Sequence, residues 1–366
     1  MSTTNPPTPS RRPRKGSSIP RPTARLAACL ATLLLLVACN AAGAAPAWTA
    51  PVPTSPGAPG TAVASASPSV SATAAAGFST APAASAAPVA FPLTVRDDEG
   101  TRLELAAEPQ RIVSLMPAIT ETLFALGKGD KVVGGTESDD FPAAAKALPH
   151  VASYSGVQIE EVLALKPDLV IAGGDSGTQP ADIARLRSLH LPVLVVYAGT
   201  VEAVLADIRL LGKVSGAYPE AVTLTGAMRT RIDAIAAAAA AQPSHPRVFY
   251  ELGDTPQLYG PSANFFGVEL IRLAGGDPIT TGDAVSFTMP VERLVAADPE
   301  VIVLGDAAYG TTPEAVAKRP GWEGLTAVRT GAIRPVDDTL VTRPGPRLAD
   351  GLAALALAID PGLKLP

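Results

Sequence analysis

Beyond residue 92, short β-branched runs alternate with stretches whose apolar residues recur at helical spacing. Leu93 to Arg96 and Arg102 to Leu105, separated by the turn residues Asp97 to Gly100, predict a hairpin. Strands are then predicted at Ile112 to Leu115, Lys131 to Val133, Asp168 to Ala172 and Pro192 to Val196. Helical spacing fills the gaps, at Ala118 to Leu126, Ile159 to Leu165, Ala181 to Leu189 and Val201 to Leu211. Continuous apolar strands with helices between them predict a parallel sheet covered on both faces. The second half follows the same scheme, with strands at Arg247 to Tyr250, Glu300 to Leu304 and Ala332 to Val336. Its helices are predicted at Phe265 to Leu273, Val291 to Ala296, Pro313 to Lys318 and Arg347 to Ala358.

The two halves can be superposed in sequence. An offset of 132 maps Ile159 to Gly173 onto Val291 to Gly305, with Glu160, Ala164, Pro167 and Gly173 falling on Glu292, Ala296, Pro299 and Gly305. Each copy reads as a short helix, a proline stop and a buried strand ending in glycine. Arg111-Ile-Val echoes Arg247-Val-Phe at an offset of 136. Between the halves, Tyr218-Pro219 opens a run of strong helix formers that continues to Gln242. At 1.5 Å per residue that helix would be about 30 Å long, the width of a small domain. The fold class expected is α/β, with two Rossmann-like lobes built on parallel sheets and joined by one long rigid helix. The boundaries are 93–216 for the first lobe, 217–244 for the linking helix and 245–366 for the second lobe.

Composition divides the remainder. The first 25 residues carry six basic side chains and no acidic one, and Leu26 to Ala38 is an uncharged apolar segment of 13 residues. That is too short to span a bilayer, which takes about 20 residues, and it has the build of an export signal, here 1–38. From 41 to 90, 44 of 50 positions are Ala, Pro, Ser, Thr or Gly and none is charged, so this stretch cannot bury enough apolar surface to fold. Residues 39–92 are therefore expected to be a disordered tether. Without the six leader charges, 23 basic face 34 acidic residues, a formal charge of minus 11. Nucleic acid is excluded as a partner, because its binding rests on cationic neutralisation of phosphates. Both cysteines, Cys29 and Cys39, precede the folded body, which excludes a disulfide scaffold or a Cys-ligated metal site there.

Little in the body reads as catalytic. There is no Gly-x-x-x-x-Gly-Lys phosphate loop and no dinucleotide fingerprint. Gly174-Asp175-Ser176-Gly177 follows a predicted parallel strand and reads as a strand-to-helix turn. His150, His190 and His245 fall in separate loops or helix ends, so no metal site is expected. In an α/β fold a ligand binds beyond the carboxyl ends of the strands. The candidates there are Met116, Pro117, Ser138, Tyr154, Gly173 and Asp175 from the first lobe, and Tyr250, Tyr259, Phe287, Asp306 and Arg343 from the second. A second reading is an envelope hydrolase using Asp175 and Asp306.

Leu36-Val37-Ala38-Cys39 resembles the bacterial lipobox, which implies that Cys39 carries diacylglycerol and becomes the mature N-terminus. The body resembles the substrate-binding proteins of ABC importers for cobalamin, haem and iron-siderophores. The resemblance rests on Arg111 to Glu121, Leu123 to Gly127, Val133 to Pro142, Glu160 to Ile171, Gly275-Gly276, Glu292 to Val303 and Arg343 to Ala356. It implies two α/β lobes on a rigid helix and a metal-chelate ligand in the cleft. It further implies one glutamate per lobe, Glu160 (or its neighbour Glu161) and Glu292, docking on arginines of a permease dimer served by separate ATPase subunits. The chain is then expected to be a non-enzymatic monomer without a cofactor of its own, any cobalt or iron belonging to the ligand, held outside the cell membrane by its lipid alone.

Overall fold

A computed structural model describes Met1, residues 86–174 and residues 177–366. The leader, Cys39, the tether up to residue 85 and Asp175 lie outside the described residues. Residues Ala76–Pro366 belong to one compact unit.

The first lobe opens with the expected hairpin, β1 (Leu93–Arg96) and β2 (Arg102–Leu105), paired antiparallel. There follow β3 (Ile112–Ser114), α1 (Pro117–Ala125), β4 (Val132–Thr136), β5 (His150–Ser153), β6 (Gly156–Val157), α2 (Ile159–Ala164), β7 (Leu169–Gly173), α3 (Pro180–Ser188), β8 (Val193–Val196) and α4 (Val201–Val214). Its six-stranded sheet has the order β6-β5-β4-β3-β7-β8. All pairings are parallel except β5 with β6, so the sheet is not wholly parallel as expected. The extra hairpin went unread because His150 to Val157 carries Ser, Tyr and Gly where a β-branched run would signal strands. At the other edge the β1–β2 turn closes over β8. The N–H groups of Val195 and Tyr197 donate to the carboxylates of Asp97 and Asp98 at 3.3 and 2.7 Å. Backbone donors that an exposed edge would leave open are thereby satisfied.

Helix α5 (Tyr218–Ala240) joins the lobes. It buries Ala221, Thr225, Met228, Ile232, Ile235 and Ala239, spaced alternately four and three apart along one face. The second lobe then contains β9 (Arg247–Glu251), α6 (Gly267–Leu273), β10 (Asp277–Ile279), α7 (Val291–Ala297), β11 (Val301–Leu304), α8 (Pro313–Val316), α9 (Thr326–Thr330), β12 (Ile333–Pro335), α10 (Asp338–Val341) and α11 (Leu348–Ile359). Its sheet is four-stranded and parallel, in the order β10-β9-β11-β12. β10 escaped the sequence reading because it is three residues long with a central proline, which only an edge position tolerates.

The linking helix does not stand free between two separate cores. One apolar cluster runs from Leu103 and Leu105 of the hairpin through Leu205 and Ile208 of α4 and Ile232 of α5 to Leu352 and Leu355 of α11, Val248 and Val303. The outer face of each sheet has its own smaller core, around Val170 and Leu186 in the first lobe and Phe249 and Ile302 in the second. At roughly 1.5–3 kcal/mol for each large apolar side chain fully buried, the shared cluster is the main term fixing the lobes to the helix.

Candidate functional site

The two glutamate-bearing helices, α2 and α7, sit on corners built from the same parts. Each helix ends in a left-handed residue, Lys166 (φ 47°) or Asp298 (φ 43°), and a proline follows. The Arg111 guanidinium donates from Nε and Nη2 to the Leu165 carbonyl at 2.9 and 2.7 Å. Arg247 does the same to the end of α7, donating to the carbonyls of Ala297 (2.9 Å) and Asp298 (2.8 Å). A carboxylate at the start of the next strand then holds the arginine's own backbone. Asp168 accepts from Arg111 N–H at 2.9 Å and Glu300 from Arg247 N–H at 3.0 Å. The arginine echo in the sequence is thus a clamp on the carboxyl end of each helix, where a cation opposes the helix dipole.

The clamp leaves the amino ends of α2 and α7 outermost, with Glu160, Glu161 and Glu292 exposed. Because each helix runs antiparallel to the strand that follows it, those ends lie on the same side of each lobe as the strands' carboxyl ends. Leu163 and Val295, equivalent at the same offset, are exposed beside them.

At the carboxyl ends of the strands the candidate residues separate into groups. Met116 lies across the end of β7, where a Cβ on Gly173 would stand 2.6 Å from its sulfur, so a side chain there would have to displace the Met116 thioether. Pro117 opens α1 and Ser138 is exposed after β4. Tyr154 is fully exposed at the β5–β6 turn, Tyr259 is half-buried, and Phe287 is partly exposed with its ring edge-on to Phe265 at 5.7 Å. Two expectations are corrected. Tyr250 is 1% exposed, and its hydroxyl donates to Asp338 at 2.8 Å, so its ring is core rather than ligand platform. Burial and the neighbouring Asp338 carboxylate push its phenol well above the usual range. Arg343 is already engaged, donating to Glu121 at 2.9 Å and Asp140 at 2.5 Å.

Other cleft-side residues were missed by the sequence reading. Phe141, Tyr197 and Tyr309 are exposed in the loops after β4, β8 and β11. An aromatic just past the carboxyl end of a strand was the available signal. Excluding Met1, the exposed large apolar residues fall mainly into two sets. Phe141, Tyr154, Tyr197, Val285, Phe287 and Tyr309 lie in strand-end loops, while Leu163, Val291 and Val295 lie on α2 and α7. A small cavity between α1, β8 and α4 connects Met116 with Tyr197 and reaches Pro344 of the second lobe. It also touches Asp207, whose carboxyl is pushed up to about 8 by burial and by the Asp98 carboxylate beside it.

The electrostatics of the cleft side are acidic. Among the described residues, the loops following the strands expose Glu137, Asp140, Asp254, Asp283 and Asp337 against Lys146, with Arg343 and Arg347 half-buried, while Asp139 and Asp306 are buried. Arg347 donates from Nε and Nη2 to Glu121, both at 2.7 Å. Arg319 reaches in from beyond α8 and holds the buried Glu251 at 2.7 and 2.6 Å and Asp254 at 2.8 Å. Burial raises Glu251 above the ordinary carboxylate range, with Arg319 opposing the shift. Asp306 accepts from the Thr311 hydroxyl at 2.7 Å. Among the described residues no cluster of His, Cys, Asp and Glu could hold a metal ion, and no helix is long and apolar enough to cross a membrane.

Residues 112–340 match the family model described as periplasmic binding protein. An uncharacterized ABC transporter substrate-binding lipoprotein of Bacillus subtilis is 34% identical over 275 residues, covering 74% of this chain and 86% of the relative. A cobalamin-binding protein of Halobacterium salinarum is 31% identical over 278 residues, covering 73% and 74%. The solved structure of a periplasmic heme-binding protein from Roseiflexus sp. RS-1 in apo form superposes with a TM-score of 0.61 at 28% identity, covering 68% of this chain and 97% of that one. These similarities favour binding over the hydrolase reading on Asp175 and Asp306. The chain belongs to the periplasmic binding protein family and is a solute-binding protein.

Proposed function

We propose that this protein is the lipid-anchored substrate-binding component of an ABC importer and that its cargo is a corrinoid. The observation that carries the choice of cargo is the cleft side itself, where exposed aromatics in the strand-end loops stand among more exposed carboxylates than cations. A corrin offers an apolar ring face to such aromatics and a periphery of carboxamide N–H donors to such carboxylates. Haem brings propionates, and catecholate and carboxylate ferric siderophores a net negative charge; the bidentate partner for such groups is an open guanidinium, yet Arg319, Arg343 and Arg347 are each bonded to carboxylates of this chain. The kinship with a cobalamin-binding protein supports the same choice.

Delivery follows from the corners. Glu160 and Glu292 would meet cations on the two halves of a permease dimer, with ATP hydrolysed by separate subunits, while Cys39 and the tether keep the protein at the membrane's outer side. Cobalt travels as cargo and the protein performs no chemistry on it. Titration calorimetry with cyanocobalamin, haem and a ferric siderophore tests the reading. Cyanocobalamin should bind at least tenfold more tightly than either alternative, and a preference for haem or siderophore would overturn the assignment.

A further inference from the structure

We propose that Asp140 is a specificity-determining residue, which by occupying Arg343 turns carboxylate-bearing tetrapyrroles away from the cleft. This rests on the corrinoid reading and adds to it the residue that enforces the choice.

Arg343 belongs to the second lobe, but its acceptors belong to the first: Glu121 Oε1 at 2.9 Å, Asp140 Oδ1 at 2.5 Å and the Ser138 carbonyl at 3.3 Å. The two carboxylates differ in character. The Glu121 side chain is 2% exposed and takes two further bonds from Arg347, so it is a fixed anchor. The Asp140 side chain is 51% exposed, against 16% for Arg343, so it is the more solvent-accessible member of the pair. Burial alone would raise the Asp140 carboxyl, but the Arg343 bond holds it below the ordinary range, so it is an anion at neutral pH. Arginine stays charged throughout that range and offers five N–H donors. Asp140 is therefore the one replaceable partner on a permanent cation.

The next residue ties this pair to the ligand. Phe141 is exposed and its ring is backed by the Arg347 guanidinium at 4.4 Å. A macrocycle stacked on that ring would bring its rim beside Asp140. A carboxamide there donates to Asp140, whereas a propionate meets an anion in front of an arginine already engaged.

The test uses the purified chain with cyanocobalamin, haem and haem dimethyl ester, whose carboxylates are blocked. Asp140→Asn keeps the shape of the side chain and leaves Arg343 on Glu121. Asp140→Ser is added because an Asn oxygen can still accept from Arg343. Haem should bind about tenfold more tightly to at least the Ser variant, the size of one charge-assisted hydrogen bond. The dimethyl ester should gain nothing, and adding Arg343→Gln should erase the haem gain. Unchanged haem affinity in both variants, or an equal gain for the ester, would overturn the proposal and show Asp140 to be only a clasp between lobes. Failure of the unaltered protein to bind cyanocobalamin would instead remove the corrinoid reading, so the two failures are distinguishable.

Discussion

The corners of the two lobes are assembled from the same parts, and the comparison is informative where their surroundings part ways. Arg111, Leu165, Lys166, Pro167 and Asp168 correspond to Arg247, Ala297, Asp298, Pro299 and Glu300, and both sets clamp a short helix by its carboxyl end. Next to the exposed glutamates the correspondence fails. Glu160 is followed by a second carboxylate, Glu161, whereas Glu292 is followed by Arg293, whose Nε is folded back onto the Thr280 carbonyl at 2.8 Å. Buried charge is handled differently as well. In the first lobe Asp97 accepts from Thr101 N–H (2.7 Å) and Val195 N–H (3.3 Å) as well as from Arg187 (2.9 Å). In the second, the Glu251 carboxylate accepts, among the described residues, from Arg319 alone, and it is fully buried. Repetition has preserved what holds a helix on a sheet, and the neighbours are where each lobe has specialised.

The largest effect should come from removing both exposed glutamates. Glu160→Ala with Glu292→Ala is expected to reduce ligand-dependent transport to background in reconstituted vesicles while calorimetry finds ligand affinity unchanged. The single variants sharpen the comparison. Glu160→Ala leaves Glu161 in place, whereas Glu292→Ala leaves no neighbouring carboxylate but Arg293, so if these corners dock on cations the second-lobe variant should be the more damaging. Equal losses would mean that neighbouring charge does not enter docking, and undiminished transport in the double variant would end the docking assignment. Next in size is Arg319→Ala, which strands Glu251 as an uncompensated buried carboxylate and should cost about 3–5 kcal/mol in urea unfolding. Arg187→Ala leaves Asp97 on two backbone N–H groups and should cost about 1–1.5 kcal/mol. If the two losses are alike, the contrast in how the lobes satisfy buried acids is wrong.

What the sequence made legible follows the same division. Strands and helices that bury apolar residues on a regular period, such as Leu169–Gly173 and Val201–Val214, lay within a residue or three of their predicted ends. The 132-residue repeat located both glutamate corners, because each is specified by contiguous residues. The pieces that escaped depend on partners far along the chain. Tyr250 looked like a cleft aromatic until Asp338, 88 residues away, was seen to take its hydroxyl. Arg343 looked available to a ligand, yet it answers to Glu121 and Asp140 more than 200 residues earlier. Burial and ion pairing between lobes have no local signature, so single residues of the cleft could be nominated from sequence but not assigned.

A smaller effect concerns pH. The hairpin's contact with the first lobe places Asp98 against Asp207, and the latter's carboxyl is raised to about 8. A carboxyl raised in the folded state stabilises fully below its unfolded value, near 3.8, and that contribution is lost progressively as pH climbs from there through 8. Asp207→Asn should remove this slope. Its melting temperature should exceed that of the unaltered protein at pH 8.5, with the difference shrinking steadily as pH falls and vanishing near pH 4, on the scale of about 2–4 °C for each kcal/mol in a body of this size. Parallel melting curves across that range would mean that the two carboxylates do not share a proton.

The smallest effect tests the corners at their most nearly identical point. Lys166 and Asp298 both hold a left-handed conformation that glycine adopts without strain. Lys166→Gly therefore relieves that strain and, after the added freedom of the unfolded chain, should stabilise by about 0.5–1 kcal/mol. The same change at Asp298 relieves the same strain but removes the carboxylate that accepts from Thr326 N–H at 2.7 Å and from its hydroxyl at 2.8 Å. Asp298→Gly should lower the melting temperature, and Asp298→Asn, which tolerates the conformation and can still accept from Thr326, should fall between the two. A gain at both positions would mean that backbone strain outweighs capping even in the second lobe. A loss at both would mean that the Lys166 side chain contributes to its corner through contacts as Asp298 does.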